Sequence, residues 1–549
     1  MANNLYSPYK NTVYLYLALV NIVSGAAIWP VNFCLFSVLG VLAIALFVAW
    51  VEAAVYGWMQ HTYLRRLAVP ILVLLALVMN VFIIVDAFLL IQFRTVLSLQ
   101  SLDLVLGTNV NEAREFLSSY APPLAVIAGI AAVVAVNAGF WWLAKRMARI
   151  LAGNRIVLWT KRVAAGAGAA VLGYMVVMFA VYRHGAQVPT FSAPMRMGYA
   201  MVQRAQNTRL LDRLRSLSAN TVVEPSESPA FDIVWVLGES FSRSHSPLYG
   251  YEKPTTPCLS ALAADSALVV MTDVVTHEDW TQKVLKSLFS TGRGNASFGS
   301  QPLFPVLMRK AGWKIDLYDN EFLENPGSTF FFDDPAMSRM MFDNRNTAKT
   351  ALDGELAETV AIRDSAAMYI VHLMGQHFAY ADRYPPHYQH FAPDDYDASR
   401  FNSRQREILA HYDNATLYND AVVGGIIDRF RTRDCIVIYF PDHGEEIYDC
   451  RDYFGHGNAV TASDVGYQIQ IPMFIYFSDT FRSEHPDIVG RFRAAKDLPV
   501  TTDDFSHLML DLAGVKSPYF DPKRSFINQA YDASTPRIVL HSFDFDAIR

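Results

Sequence analysis

The sequence predicts a two-part molecule. An α-helical membrane domain of five transmembrane helices comes first, and an α/β domain with a central, mainly parallel sheet follows. Three observations predict this. Long uncharged runs dominate residues 12–182, whereas the chain from Asp232 onward mixes charged and apolar blocks. Hydrophobic residues make up 52% of the sequence and charged ones only 18%, too apolar for an ordinary soluble enzyme and too polar for a membrane bundle alone. In the second half, short runs rich in Val, Ile, Tyr and Phe alternate with helical patterns. This composition excludes disorder, collagen-like repeats and a coiled coil. A net charge of −6 with no long basic run excludes nucleic acid as the main partner. Four cysteines are too few to build a fold on disulfides.

Each apolar run in the first part, at 12–30, 32–58, 68–93, 122–144 and 164–182, approaches or exceeds the roughly 20 residues a bilayer core requires. The first has no strongly basic leader and the second follows within two residues, so the pair reads as a tight hairpin rather than a cleaved signal. Basic residues cluster before the first run (Lys10), between the second and third (Arg65, Arg66) and between the fourth and fifth (Lys145, Arg146, Arg149, Arg155, Lys161, Arg162). Basic loops stay in the cytoplasm. The N-terminus is therefore expected inside and everything after Tyr182 outside. Asp86 interrupts an apolar run at a cost of ~2.5–3.5 kcal/mol if central; it reads as an interfacial or hydrogen-bonded group, or as a functional one. The outer loop 107–115 is polar and reads either as a solvated turn or as a lipid head-group contact. Beyond it, apolar positions at helical spacing within 195–217, among Arg204, Arg209, Arg213 and Arg215, predict amphipathic helix on the membrane face. The expected domains are thus 1–184 (membrane), 185–230 (connector) and 231–549 (soluble).

In the soluble part, strands are expected at 232–237, 315–318, 368–373, 435–440 and 473–477. Ligand groups in open α/β sheets collect beyond the carboxyl ends of strands. Gly238-Glu239-Ser240 follows the first strand, Asp319-Asn320 the second, Gly375-Gln376-His377 the third and Asp442-His443-Gly444-Glu445 the fourth. Glu239, Asp442 and His443 make an N/O donor set suited to a divalent metal. A hydroxyl acidified by such a metal can attack phosphorus or sulfur, and Ser240, Ser242, Thr276 and Thr281 are all candidates on spacing alone.

Several blocks, taken together, resemble one family. Val236-Leu-Gly-Glu-Ser-Phe-Ser-Arg, Leu248-Tyr-Gly-Tyr, Thr255-Thr-Pro, the segment from Trp280 to Ser290, His372-Leu-Met-Gly-Gln-His, Tyr412-Asp-Asn-Ala-Thr, Asp442-His-Gly-Glu and Gly455-His-Gly occur in order. They resemble the membrane phosphoethanolamine transferases of the alkaline phosphatase superfamily, whose catalytic domain is sulfatase-like. The resemblance implies that Thr281 is the nucleophile and that Glu239, Thr281, Asp442 and His443 hold zinc, with manganese or magnesium as alternatives and no complete ligand set for a second metal. It implies that His377 and His456 bind substrate phosphate, that Asn320 lies beside substrate, and that Thr108 and Glu112 contact the donor lipid. Leu104 departs from the Asn of some relatives in that segment. The implied reaction moves phosphoethanolamine from phosphatidylethanolamine to an envelope glycolipid or glycan (lipid A, core sugar or periplasmic glucan) through a phosphothreonine-type intermediate, with release of diacylglycerol. The implied location is the bacterial inner membrane, with the catalytic domain periplasmic. Cysteine scarcity resembles the branches that modify core sugars, glucans or proteins, and pairing of Cys435 with Cys450 stays open. The competing readings are a phosphoglycerol transferase of the same superfamily, a membrane-anchored phosphatase or sulfatase-like hydrolase, and a degenerate scaffold. Thr281 lacks the Cys/Ser-x-Pro-x-Arg setting that a sulfatase needs.

Overall fold

The computed structural model describes residues 8–29, 35–93, 96–98, 102, 123–151, 159, 161–163, 165–170, 173, 193–225, 229–294, 297–456, 462–540 and 543–548. The chain divides into two compact units, Met1–Thr208 with Gly327–Thr329, and Arg209–Pro326 with Phe330–Arg549. The division between Thr208 and Arg209 falls inside a long helix.

The first unit contains α1 (Pro8–Ala26), α2 (Leu35–Gln60), α3 (Ala68–Phe93) and α4 (Pro123–Ile150). Among the described residues, Val38–Gln60 and Ala68–Leu90 are long and apolar enough to cross a membrane, and Asn11–Ala26 is a shorter apolar helix. The predicted fifth run lies largely outside the described residues. Polar side chains stitch the helices together. Tyr16 donates to Asn137 Oδ1 at 2.7 Å, and Asn137 and Asn80 exchange amide hydrogen bonds at 2.7 and 3.2 Å. Asp86 is fully buried, pairs with Arg196 and accepts the Leu97 N–H at 2.9 Å. Its expense in an apolar run is thus offset by a cation and a backbone donor. Arg196 belongs to α5 (Ala193–Asn220), a single 28-residue helix over the expected connector.

The second unit is built on a seven-stranded sheet. In chain order the strands are β1 (Asp232–Gly238), β2 (Leu268–Met271), β3 (Ile315–Asp319), β4 (Asn344–Arg345), β5 (Met368–His372), β6 (Cys435–Pro441) and β7 (Met473–Phe477). Their spatial order is β2-β7-β6-β1-β5-β3-β4. Neighbours from β6 to β4 are parallel, while β7 runs antiparallel to both β6 and β2. All five expected strands are present. Every residue of β1 is buried because apolar layers cover both faces. Ile233, Trp235 and Leu237 enter one core, and Val234 and Val236 the other. Trp235 is packed among Phe505, Phe289 and Phe440 at ring separations of 4.5, 5.5 and 5.7 Å.

Register sets the site. Gly238 pairs with Pro441, Leu237 with His372, and His372 with Asp319. The carboxyl ends of β6, β1, β5 and β3 therefore finish level, and the residues just beyond them share one edge.

Candidate active site

Glu239 leaves β1 through a strained turn. Ser240 sits at φ +54, a left-handed conformation uncommon for a residue with a Cβ. Its backbone is braced by Tyr412 of α7 (Ser403–Phe430), whose hydroxyl donates to Ser240 O and accepts from Ser242 N, both at 2.7 Å. Ser240 N also donates to Asp442 Oδ1 at 3.2 Å, and Ser240 Oγ to Glu239 Oε1 at 2.8 Å. Behind the turn, Gly375 has φ +44, and a Cβ there would stand 2.8 Å from Glu239 O. Only glycine allows this approach.

Asp442 and His443 follow β6, and with Glu239 they are completely buried. His443 Nδ1 lies 2.9 Å from Gly444 O, so it carries the proton and Nε2 presents its lone pair. Nε2 faces Asp442 Oδ2 at 3.2 Å and Glu239 Oε1 at 3.5 Å. Thr281 opens α6 (Thr281–Phe289), which is anchored by buried Val284, Leu285, Leu288 and Phe289. Its hydroxyl lies 3.4 Å from Glu239 Oε2. Ligands about 2.0–2.1 Å from a tetrahedral cation stand about 3.4 Å apart, so these three separations are those of a coordination shell.

Two further features fit a cation. His443 Nε2 and Asp442 Oδ2 are buried with no hydrogen-bond partner. Burial and the nearby Asp442 and Glu321 carboxylates hold the Glu239 carboxyl well above its ordinary range. Asp442 stays below its range: burial opposes ionisation, but the adjacent imidazole and the backbone N–H groups of Ser240 and His443 outweigh it. Burial lowers His443, keeping it a neutral donor. Two carboxylates, an imidazole and a hydroxyl at this spacing suit a divalent metal.

His456 is drawn into the same region. Its ring centroid lies 4.1 Å from that of His443, and Nδ1 lies 2.7 Å from Glu445 Oε2. Glu445 is in turn held by the Tyr380 hydroxyl at 2.5 Å. Burial lowers the His456 pKa, but the Glu445 carboxylate outweighs it and the net shift is upward. His377 is half-buried and lowered to about 4, first by burial and then by Arg383 and His456. Asn320 has its amide engaged within the fold: Nδ2 donates to Asp353 at 2.9 Å and Oδ1 accepts from Thr350 N at 2.8 Å. Thr108 and Glu112 lie outside the described residues. Cys258, Cys435 and Cys450 are all free, so the open pairing of Cys435 with Cys450 is not made.

Glu321, His372 and Glu445, given no site role from the sequence, also stand at this edge. His372 ends β5, Glu321 lies just beyond Asn320, and Glu445 follows Asp442-His443. The strand-end rule that found Glu239 covers all three. His372 is fully buried between Asp319 (Nδ1 at 3.0 Å) and Glu321 (Nε2 at 3.2 Å).

A mainly parallel sheet with buried acids, an imidazole and a helix-opening hydroxyl at its carboxyl edge defines a protein of the alkaline phosphatase and sulfatase type. The chain belongs to the sulfatase family, which it matches over residues 232–515. It is homologous to phosphoethanolamine transferases. Phosphoethanolamine transferase EptC of Escherichia coli (strain K12) is 30% identical over 355 residues, covering 62% of this chain and 61% of the relative's length. The crystal structure of the C-terminal periplasmic domain of EptC from E. coli in complex with zinc is 28% identical, with a TM-score of 0.51 over 60% of this chain and 95% of that one. The integral membrane lipooligosaccharide phosphoethanolamine transferase A of Neisseria meningitidis shares the fold, with a TM-score of 0.56 at 17% identity over 95% of this chain and 98% of that one.

Proposed function

We propose that the protein transfers phosphoethanolamine from phosphatidylethanolamine to a cell-envelope glycolipid or glycan through a covalent intermediate on Thr281. The observation that carries this reading is the shell of Glu239, Thr281, Asp442 and His443 atoms, 3.2–3.5 Å apart, with two buried atoms unpartnered. A divalent cation, zinc by this donor set, would be held by those four residues and would supply acidification of the Thr281 hydroxyl and neutralisation of phosphate charge.

The chain's own groups account for the rest. Thr281 Oγ attacks phosphorus in line, the bond to the diacylglycerol oxygen breaks, and phosphoethanolamine stays on Thr281. Standing at the first turn of α6, Thr281 also places the phosphate near free backbone N–H groups. His456, with Nδ1 tied to Glu445, protonates the leaving oxygen and then deprotonates the acceptor hydroxyl, whose oxygen attacks phosphorus as the bond to Thr281 Oγ breaks. His377, neutral above about pH 4, contributes an N–H to a phosphate oxygen. Asn320 lies beside substrate in this scheme and also holds Asp353, the first residue of the helix Asp353–Thr359.

The same reading takes five membrane spans, a cytoplasmic N-terminus, a connector over 185–230 and a periplasmic catalytic domain over 231–549. Thr108 and Glu112 then contact the donor at the outer membrane surface. The test supplies the full chain in detergent with labelled phosphatidylethanolamine or phosphatidylglycerol and follows diacylglycerol release. Turnover of the ethanolamine lipid supports the proposal. Exclusive use of the glycerol lipid, or release unchanged in Thr281→Ala, overturns it.

A further inference from the structure

Glu239 faces a second set of donors. Its carboxylate, Glu321 and His372 each bring one ligand atom to within 4.8 Å of the others. The three follow or end the adjacent strands β1, β3 and β5, which the register brings level. His372 and Glu239 are fully buried, and the Glu321 side chain is 14% exposed. His372 Nε2 and Glu321 Oε2 stand 3.2 Å apart, about the edge of a tetrahedral shell, and neither has a hydrogen-bond partner. On the other side of the ring, Nδ1 lies 3.0 Å from Asp319 Oδ1. Asp319 is itself fixed by the Glu321 and Phe322 N–H groups at 2.8 Å and by Arg345 at 3.3 Å. A carboxylate on one imidazole nitrogen, with the other left open toward two more carboxylates, is the support that metal-binding histidines carry. Phe322 and Phe332 flank the ring at 6.0 Å and hold its plane.

We infer that Glu239, Glu321 and His372 form a second divalent-cation site, with Glu239 the carboxylate shared between it and the site of Asp442, His443 and Thr281. One imidazole and two carboxylates suit zinc. A second cation held there would add positive charge at the strand ends that carry Glu239. The inference rests on the proposed function only through Glu239. Its rival is an imidazolium at His372 held between Asp319 and Glu321 with no second cation.

The test strips the full chain of metal in detergent, titrates it with zinc, removes excess and measures bound zinc by mass spectrometry. Circular dichroism and thermal unfolding on each sample establish that it is folded. Two equivalents are expected in the wild type, and one in each of Glu321→Gln, His372→Asn and Asp442→Asn. Cobalt(II) then gives a spin-coupled signal in the wild type that both Glu321→Gln and Asp442→Asn abolish. One equivalent in the wild type, lost in Asp442→Asn, removes the second site and leaves the first standing. Two equivalents undiminished in Glu321→Gln and His372→Asn place the extra zinc elsewhere and also overturn the inference. No bound zinc in the wild type removes both sites.

Discussion

The helices of the first unit and the carboxyl edge of the sheet in the second bury polar groups in opposite ways. In the first, opposites meet. Asp86 faces Arg196, Asn137 takes Tyr16 and Asn80, and Asn21 donates to Glu52 at 3.0 Å. At the carboxyl edge of the sheet in the second, like gathers with like: Glu239 and Asp442 are fully buried beside Glu321, and burial together with the neighbouring carboxylates pushes Glu239 up. A complementary pair offsets its own desolvation and locks helices in place. Converging carboxylates cannot offset theirs, and they create a field that a cation satisfies. The contrast separates a scaffold from a ligand site better than burial alone, since both regions bury charge.

Four substitutions sharpen or break that contrast. Thr281→Ala is expected to lower transfer by about 10³-fold or more while leaving the melting temperature nearly unchanged, because the side chain is only partly buried and packs little core. Diacylglycerol release and thermal unfolding read the two effects. Asp86→Ala should do the reverse. Leaving Arg196 buried without its carboxylate costs about 3–5 kcal/mol, seen as early unfolding in detergent, and the double change Asp86→Leu with Arg196→Met should recover most of it. A stable Asp86→Ala protein would contradict the clasp.

Glu445→Gln removes the charge that orients His456 and is expected to cost about 10–100-fold in rate, with the basic limb of the pH profile moving to lower pH as the imidazole loses its carboxylate. An unchanged profile would detach His456 from Glu445. The smallest effect concerns His507, which is not one of the residues of the carboxylate cluster. Its Nε2 donates to Thr291 O at 3.1 Å and its Nδ1 accepts from Asp521 N at 3.0 Å. Burial, followed by Arg524, lowers it to about 4, against ~6.5 in the unfolded chain. Between those values the unfolded state binds more protons, so stability falls as pH drops through the window, by at most about 1.4 kcal/mol per pH unit from this group. His507→Gln should flatten that slope in denaturant titrations at pH 4 to 7. His377 shares the direction and leaves a residual slope.

Much of this was legible because it is local. The runs at 232, 315, 368, 435 and 473 are short, apolar and bounded by turn residues, and each forms a strand. Asp442-His443 and Glu239 could be found because chemistry-bearing residues follow such runs directly. What escaped depends on neighbours in space. Nothing in the run at 473 tells that β7 lies antiparallel to β6, and β2 is only four residues long at the edge of the sheet. His372 looked like the end of a strand, and only the order β1-β5-β3 brings it to Glu321 and Glu239. Asn320 and Glu321 are adjacent, yet the first is engaged inside the fold while the second joins the carboxylate cluster. The helix at 193–220 was readable from spacing.

The central claim is that the Thr281 oxygen carries the transferred group. The full chain, incubated with phosphatidylethanolamine without acceptor, can be digested and mapped by tandem mass spectrometry. A zinc-dependent phosphoethanolamine adduct is expected on the peptide containing Thr281, absent in Thr281→Ala and removed when acceptor is added. Turnover of the lipid with Thr281 unmodified throughout, or an adduct on another residue that persists in Thr281→Ala, would contradict it.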